Sequence, residues 1–210
     1  MAEPIDAIIA IHNAFRNDVE RIDAAALETA RGKEGLVATI ERFRFFNEVL
    51  IWHANGEEIA IFPVLENVAP LIAEAYVKDH RGLDRAYDTL NKSYSEGDLL
   101  QIARATAAFR FHLNMHLYKE DTHLYRIFKE RISLPEQGKA TGIMAKQIPQ
   151  ERYAEFVAWL FPLVGHDDQE KMIRIMQMVM PAPAFTGVKE LIKKAIGTDW
   201  AEIERRIPTL

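Results

Sequence analysis

Residues 112–121 read His-Leu-Asn-Met-His-Leu-Tyr-Lys-Glu-Asp, and residues 53–58 read His-Ala-Asn-Gly-Glu-Glu. Both stretches place a glutamate four residues after a histidine, on one face of a helix. Both also lie within long segments of helical periodicity. One such segment runs roughly from Glu34 to Glu66, with Leu36, Ile40, Phe43, Phe46, Leu50, Ile61 and Val64 on its apolar face beside His53 and Glu57. The other runs roughly from Leu99 to Ile132, with Ile102, Phe109, Leu113, Leu124 and Ile127 on the side of His112, His116 and Glu120. Buried on such faces, bare carboxylates would cost several kcal/mol each, so the pattern asks for cations.

Two further segments carry one histidine each. Pro4 to Ala30 has His12 on a stripe of Ile5, Ile8, Ile9, Phe15, Val19 and Ile22, and Pro4 suits a first helical turn. Leu71 to Tyr94 has His80 among Ile72, Tyr76, Leu83, Tyr87 and Leu90. Pro63 is expected to kink or end its helix, and Ser95-Glu96-Gly97-Asp98 reads as a turn followed by an N-cap. The links are short, so successive helices are expected to run antiparallel, as an all-α, up-down-up-down four-helix bundle over 1–133. Beyond the break at Leu134-Pro135-Glu136-Gln137-Gly138, helical pieces near 150–161, 167–180, 186–196 and 198–206 read as a C-terminal extension, 139–210, packed on the bundle.

Height along the bundle decides whether the histidines meet. Helices rise ~1.5 Å per residue. Glu57 lies nine residues before Glu66 and His80 nine after Leu71, so both stand ~14 Å from the same turn. His80 and His112 each lie fourteen residues from the next turn, ~21 Å away. His12 and His53 fall within ~3 Å of one another in height. All four helices thus bring nitrogen or carboxylate ligands to one layer, and two carboxylates entering from opposite helices can bridge two metal ions.

Composition narrows the chemistry. The chain has 210 residues, a net charge of -5 and no cysteine. Thiolate metal sites, Fe–S clusters, disulfides and cysteine nucleophiles are excluded, and a metal must take N and O ligands. The acidic balance argues against a nucleic-acid partner. No apolar run reaches the ~20 residues that span a bilayer, and the N-terminus lacks the basic start of a signal peptide, so no membrane partner and a cytoplasmic location are expected.

His12, His53-x-x-x-Glu57-Glu58 with Ile61-Phe62-Pro63, His80, and His116-x-x-x-Glu120-Asp121 together resemble the hemerythrin-like, or HHE cation-binding, family over roughly 1–132. The resemblance implies two non-haem iron ions joined by carboxylates and an oxo or hydroxo bridge, with dioxygen, hydrogen peroxide or iron as what is handled. It carries over His12, His53, Glu57, His80, His116 and Glu120. The oxygen-carrying members have a His-x-x-x-His pair on the third helix and an aspartate on the fourth. Here His112 and His116 pair on the fourth helix and the second carboxylate is a glutamate, which favours the broader group. His112 is a further candidate, as a seventh ligand or as a donor behind the ligands. These ligand types also suit manganese. The tail, with Trp159, Asp168 and Met172, is similar to helical extensions that follow such domains in bacterial and plant relatives.

Other residues carry blander expectations. Glu58 and Asp121, ~100° round from the motif carboxylates, are expected at the surface, with support of the ligands from behind as the lesser alternative. His123 is expected partly exposed near the site and His166 at a helix start. Met172, Met176, Met178 and Met180 are expected to pack, and Phe43, Phe45 and Phe46 to line the core. No acid–base pair or nucleophile stands apart from the metal ligands, so any peroxide- or dioxygen-reducing catalysis belongs at the metals. The rival readings are an iron- or oxygen-responsive protein whose tail docking changes with iron, its protein partner unspecified, and an oxygenase with an apolar pocket reaching the metals.

Overall fold

Each long helix turns an apolar stripe inward, and the stripes meet. A computed structural model describes residues 2–32 and 35–210, with no strand among them. α1 (Pro4–Ala30) opens with proline in its first turn and a reciprocal capping box between Glu3 and Asp6. α2 (Leu36–Gly56) follows; the expected start at Glu34 lies outside the described residues. α2 continues through a π-helical turn, Glu57–Ile61, into α3 (Phe62–Glu66). α4 spans Ile72–Glu96. α5 (Leu99–Lys119) is capped by Asp98, whose carboxylate accepts from the Leu100 and Gln101 N–H groups at 3.0 and 3.1 Å. It continues through a second π-helical turn, Glu120–Leu124, into α6 (Tyr125–Arg131).

Two breakers act differently from expectation. Pro63 does not end its helix: the Phe62 N–H reaches back to the Glu57 carbonyl, and the proline falls in the first turn of α3, where a missing donor costs little. Leu134–Gly138 is no break either. It opens α7 (Leu134–Ala145), with Pro135 in the first turn and a capping box between Ser133 and Glu136.

α1 packs between α2 and α5, and α4 packs against α5 and α2, closing the bundle. The core divides in two. One cluster contains Phe15, Phe43, Phe46, Leu90 and Phe109; the other contains Ile8, Ile61, Leu65, Leu124 and Phe128. On α2 and α4 the boundary between the clusters falls at His53 and His80, and after α5 it falls at Glu120; these residues form part of a buried polar layer.

After α7 come α8 (Tyr153–Leu160), α9 (His166–Val179), α10 (Ala182–Ile196) and α11 (Trp200–Arg206). α10 begins earlier than its periodicity suggests because Pro183 sits comfortably in its first turn. Phe156, Leu160, Ile173, Ile192 and Ile203 join the larger cluster of the bundle. α1 supplies the polar ties: Trp159 Nε1–H donates to Asp18 at 2.6 Å, Asn17 to the Leu163 carbonyl at 2.7 Å and Asn13 to Asp168 at 2.8 Å. Among the described residues no helix is long and apolar enough to cross a membrane.

Candidate metal centre

The two π turns begin at the two motif glutamates. A wider turn reduces the angle between successive side chains, so each motif presents two adjacent acids toward the interior. Glu57 and Glu120 are fully buried; Glu58 and Asp121 stand behind them, partly buried. This corrects the expectation that Glu58 and Asp121 are surface groups.

The donor atoms form two groups, each within 4.8 Å: His12, His53, Glu57 and Glu120; and Glu57, His80, His116 and Glu120. Both glutamates belong to both groups, and they divide their oxygens between them. Glu57 turns Oε1 to His53 Nε2 and Oε2 to His80 Nε2, each at 3.3 Å. Glu120 turns Oε2 to His12 Nε2 at 3.6 Å and Oε1 to His116 Nε2 at 3.3 Å. The six residues sit between 0% and 5% exposed.

Two of the imidazoles are oriented from behind. Asp121 meets His12 Nδ1 at 2.7 Å, and Glu58 meets His80 Nδ1 at 2.9 Å. Each acid crosses to a helix without a His-x-x-x-Glu motif, and each is held by an arginine, Arg16 or Arg81. With Nδ1 donating, a neutral ring would turn an Nε2 lone pair to a metal at the centre. His12 Nε2 and His53 Nε2 lie 2.9 Å apart.

Buried polar atoms are normally paired. Here Glu57 Oε2, His80 Nε2 and both Glu120 oxygens lack hydrogen-bond partners. Unmatched acceptors converging from four helices fit cations held by N and O ligands. Protonation in the absence of cations is correspondingly uneven. Burial alone would lower His80, but Glu120, Glu57 and Glu58 outweigh it and raise it to about 11. Burial, with His80 and His12 nearby, lowers His116 to about 3. Burial pushes Glu57 up, yet His53 and His80 hold it well below the usual carboxylate range. Burial and the Glu57 charge push Glu120 well above it. One glutamate thus takes a charge facing an imidazolium while the other keeps a proton.

Six of the seven candidate ligands converge. The seventh, His112, does not: it is exposed, with its ring 5.9 Å from that of Phe111. Residues four apart on an α-helix drift by ~40° per step, so His112 turns out of the layer that His116 and Glu120 enter. His123 is exposed and His166 opens α9. Met172 and Met176 are buried, but Met178 is exposed.

Sequence reasoning missed Tyr125. It is buried and its hydroxyl donates to Glu57 Oε1. The signal was its register: Tyr125 stands five residues after Glu120, as Phe62 stands five after Glu57. Phe62 stacks on His80 at 5.5 Å, and Tyr125 meets His12 edge-on at 5.6 Å. A cavity of about 250 Å³ reaches His80 and His116 past Arg81 and Asp84.

No family model matches the chain, and no solved structure matches it. Among curated proteins, the zinc finger protein BRUTUS of Arabidopsis thaliana is 26% identical over 185 residues, which cover 85% of this chain and 15% of that protein. Two BRUTUS-like zinc finger proteins of the same plant are 23% identical over 203 residues (87% and 16%) and 22% identical over 194 residues (80% and 15%). The chain therefore spans about 15% of the length of these relatives, and it has no cysteine with which to build a thiolate zinc finger.

Proposed function

We propose that this chain is a hemerythrin-like domain that holds two iron ions and binds or reduces dioxygen or hydrogen peroxide. The observation that carries the reading is the sharing of Glu57 and Glu120 between two histidine pairs, one oxygen to each side. Iron, when bound, would supply electrons and a coordination position for the oxidant. The protein's part is positioning and exclusion. Asp121 and Glu58 fix the imidazole tautomers, Tyr125 restrains Glu57, and Phe15, Phe46 and Phe62 close the apolar shell. The cavity beside His80 and His116 is large enough to admit a diatomic molecule or peroxide. Metal analysis of protein purified with its native metal, with an optical spectrum before and after peroxide, tests the reading. Two iron ions per chain and a spectrum that changes with peroxide are expected. A single ion, or a spectrum indifferent to oxidant, would sink it.

One observation favours the responsive reading as the second choice. His12 and Asn13 are neighbours on α1, one in the centre and the other bonded to Asp168 of the extension. Loss of iron would release His12 and loosen that tie. Exchange protection of 150–207 that is equal with and without iron would exclude it.

A further inference from the structure

α5 buries Ile102, Thr106, Phe109, Leu113 and Leu117 in the bundle and turns its opposite face to solvent. On that outer face Arg104, Ala108, Phe111, Met115, Tyr118 and Thr122 follow at steps of four, three, four, three and four. That is the heptad spacing by which one helix packs along another. Phe111 is 64% exposed, Tyr118 59% and Met115 47%. Isolated apolar side chains at a surface are ordinary, but three on successive turns of one helix make a contiguous patch of the kind that marks a protein contact.

Size is unevenly distributed along this seam. Its N-terminal half has Ala107 and Ala108, both exposed; its C-terminal half has Phe111, Met115 and Tyr118. Charge is uneven too. Glu96 and Asp98 stand at the start of α5, and the capping bonds of Asp98 use only Oδ1. Arg126 stands at the other end, exposed and, among the described residues, without an ion-pair partner. It comes eight residues after Tyr118, and the extra residue of the π turn returns it to the seam, where a seventh would fall in plain α-helix.

A second α5 laid antiparallel answers both asymmetries at once. With a twofold axis level with Leu113, each Phe111 meets the second copy's Met115, and each Tyr118 meets the second copy's Ala108. A thioether against an aromatic ring is a favourable contact, and the alanine leaves room for the tyrosine. Arg126 comes to the acidic end of the second copy, near its Asp98. A parallel pair would instead set Arg104 against Arg104 and Arg126 against Arg126, and would leave alanine opposite alanine. His112, left out of the metal centre, stands beside the axis.

We infer that the outer face of α5 is a homodimer interface, in which two copies of this chain pair their α5 helices antiparallel about Leu113. A twofold contact needs one surface that complements itself, and this seam does so in both volume and charge. A foreign partner would not require small residues at one end of a helix to match large ones at its other end. The pairing leaves the cavity beside His80 and His116 open, because no residue of the seam lines it.

Sedimentation equilibrium of the full chain, with and without chelator, tests this together with cysteine cross-linking. The 24.0 kDa chain should sediment at twice its mass in both conditions. Phe111→Glu and Tyr118→Lys should each raise the dissociation constant at least tenfold, as loss of a central aromatic commonly does. Both side chains are exposed, so helix content by circular dichroism should not change. The chain has no cysteine of its own, so Arg104→Cys and Thr122→Cys proteins report the orientation. Mixed and oxidised, they should form a disulfide between the two variants and little within either. A single-chain mass at the highest soluble concentration, or a dimer that both seam variants leave intact, overturns the interface. Disulfides within each variant but not between them overturn the antiparallel arrangement. Because mass and disulfide formation are read in metal-free protein as well, a monomer leaves the metal proposal standing, and an empty metal centre leaves this one standing.

Discussion

The His12–His53 half of the centre and the His80–His116 half are built alike and finished differently. Each draws one histidine from a helix without a motif and one from a His-x-x-x-Glu helix, and each has an acid behind its lone histidine. The aromatic at the end of each π turn breaks the likeness. Phe62 only stacks on His80, whereas Tyr125 also donates to Glu57. The surroundings diverge too: His53 borders a Met-rich apolar cavity that His80 and His116 do not, and shares with them a second cavity bordered by Arg81 and Asp84. The difference teaches that ligand geometry and charge placement are separable. Positions repeat across the centre, but the protons do not, since burial lowers His12 whereas its counterpart His80 is raised, despite its burial, by the glutamates around it.

The largest expected effect comes from the residues that join the halves. Glu57→Gln and Glu120→Gln should each empty both sides of the centre; loss of only one ion would show that each glutamate serves one side. Without metal the two variants should part. Glutamine imitates the proton that Glu120 already keeps, so Glu120→Gln should melt near wild type at neutral pH. Glu57→Gln removes the charge that faces His80 and accepts from Tyr125, and should cost ~3–5 kcal/mol. Melts of both proteins after chelation distinguish these outcomes.

Tyr125→Phe makes the halves alike. A buried hydrogen bond to a charged group contributes ~1.5–3 kcal/mol, and that loss should appear in metal-free urea unfolding. The corresponding Phe62→Leu change should affect stacking at His80 without touching Glu57; equal effects on both carboxylates would refute the asymmetry.

Asp121→Asn and Glu58→Gln address one half each. Removal of such orienting partners weakens metal binding ~10–100-fold. The two ions should be lost at different chelator concentrations in each variant, with the weakened side exchanged between them. Identical chelation curves would mean that the halves do not bind independently.

Taken one pH unit at a time, the smallest effect is the pH dependence. In metal-free protein His80 is raised from 6.5 to about 11, so its stabilising contribution is complete below pH 6.5 and declines as pH rises toward 11. His116, lowered to about 3, acts in the opposite sense, with stability gained as pH rises from 3 to 6.5. Above pH 7 stability should fall by up to ~1.4 kcal/mol per unit. Metal should flatten that slope, because a ligating imidazole carries no second proton. Unfolding at pH 6 to 9 with and without chelator measures it.

Periodicity and spacing reveal the bundle and six of its inward donors, because burial of an apolar stripe fixes which way a helix faces. They fail where the helix is not α. Glu58 and Asp121 look external on a 100° wheel, and only the π turns bring them in. His112 fails for the converse reason: regular spacing by four looks like a shared face but spirals off it. Pro63 and Pro135 read as breakers because a proline's meaning depends on whether its missing donor falls in a first turn. Tyr125 was invisible until the two motifs were laid over one another from their glutamates.

A π turn is one codon wide. It is an α-helix with a single extra residue, and the helix on either side is already sound. Deleting Ile59, which is 51% exposed, would leave His53-x-x-x-Glu57 intact and would heal the backbone into plain α-helix. Phe62 would then stand four residues after Glu57 in plain α-helix, close to the direction it takes five residues on in the π turn, so Phe62 and Leu65 would stay inward, while Glu58 would turn ~100° from Glu57 and leave His80. Deleting Thr122 would likewise turn Asp121 away from His12 and keep Tyr125 and Phe128 inward. The centre thus owes its inner acids to two insertions whose loss would preserve every ligand and the helix content. Length, not side-chain identity, is the quantity these two helices cannot change.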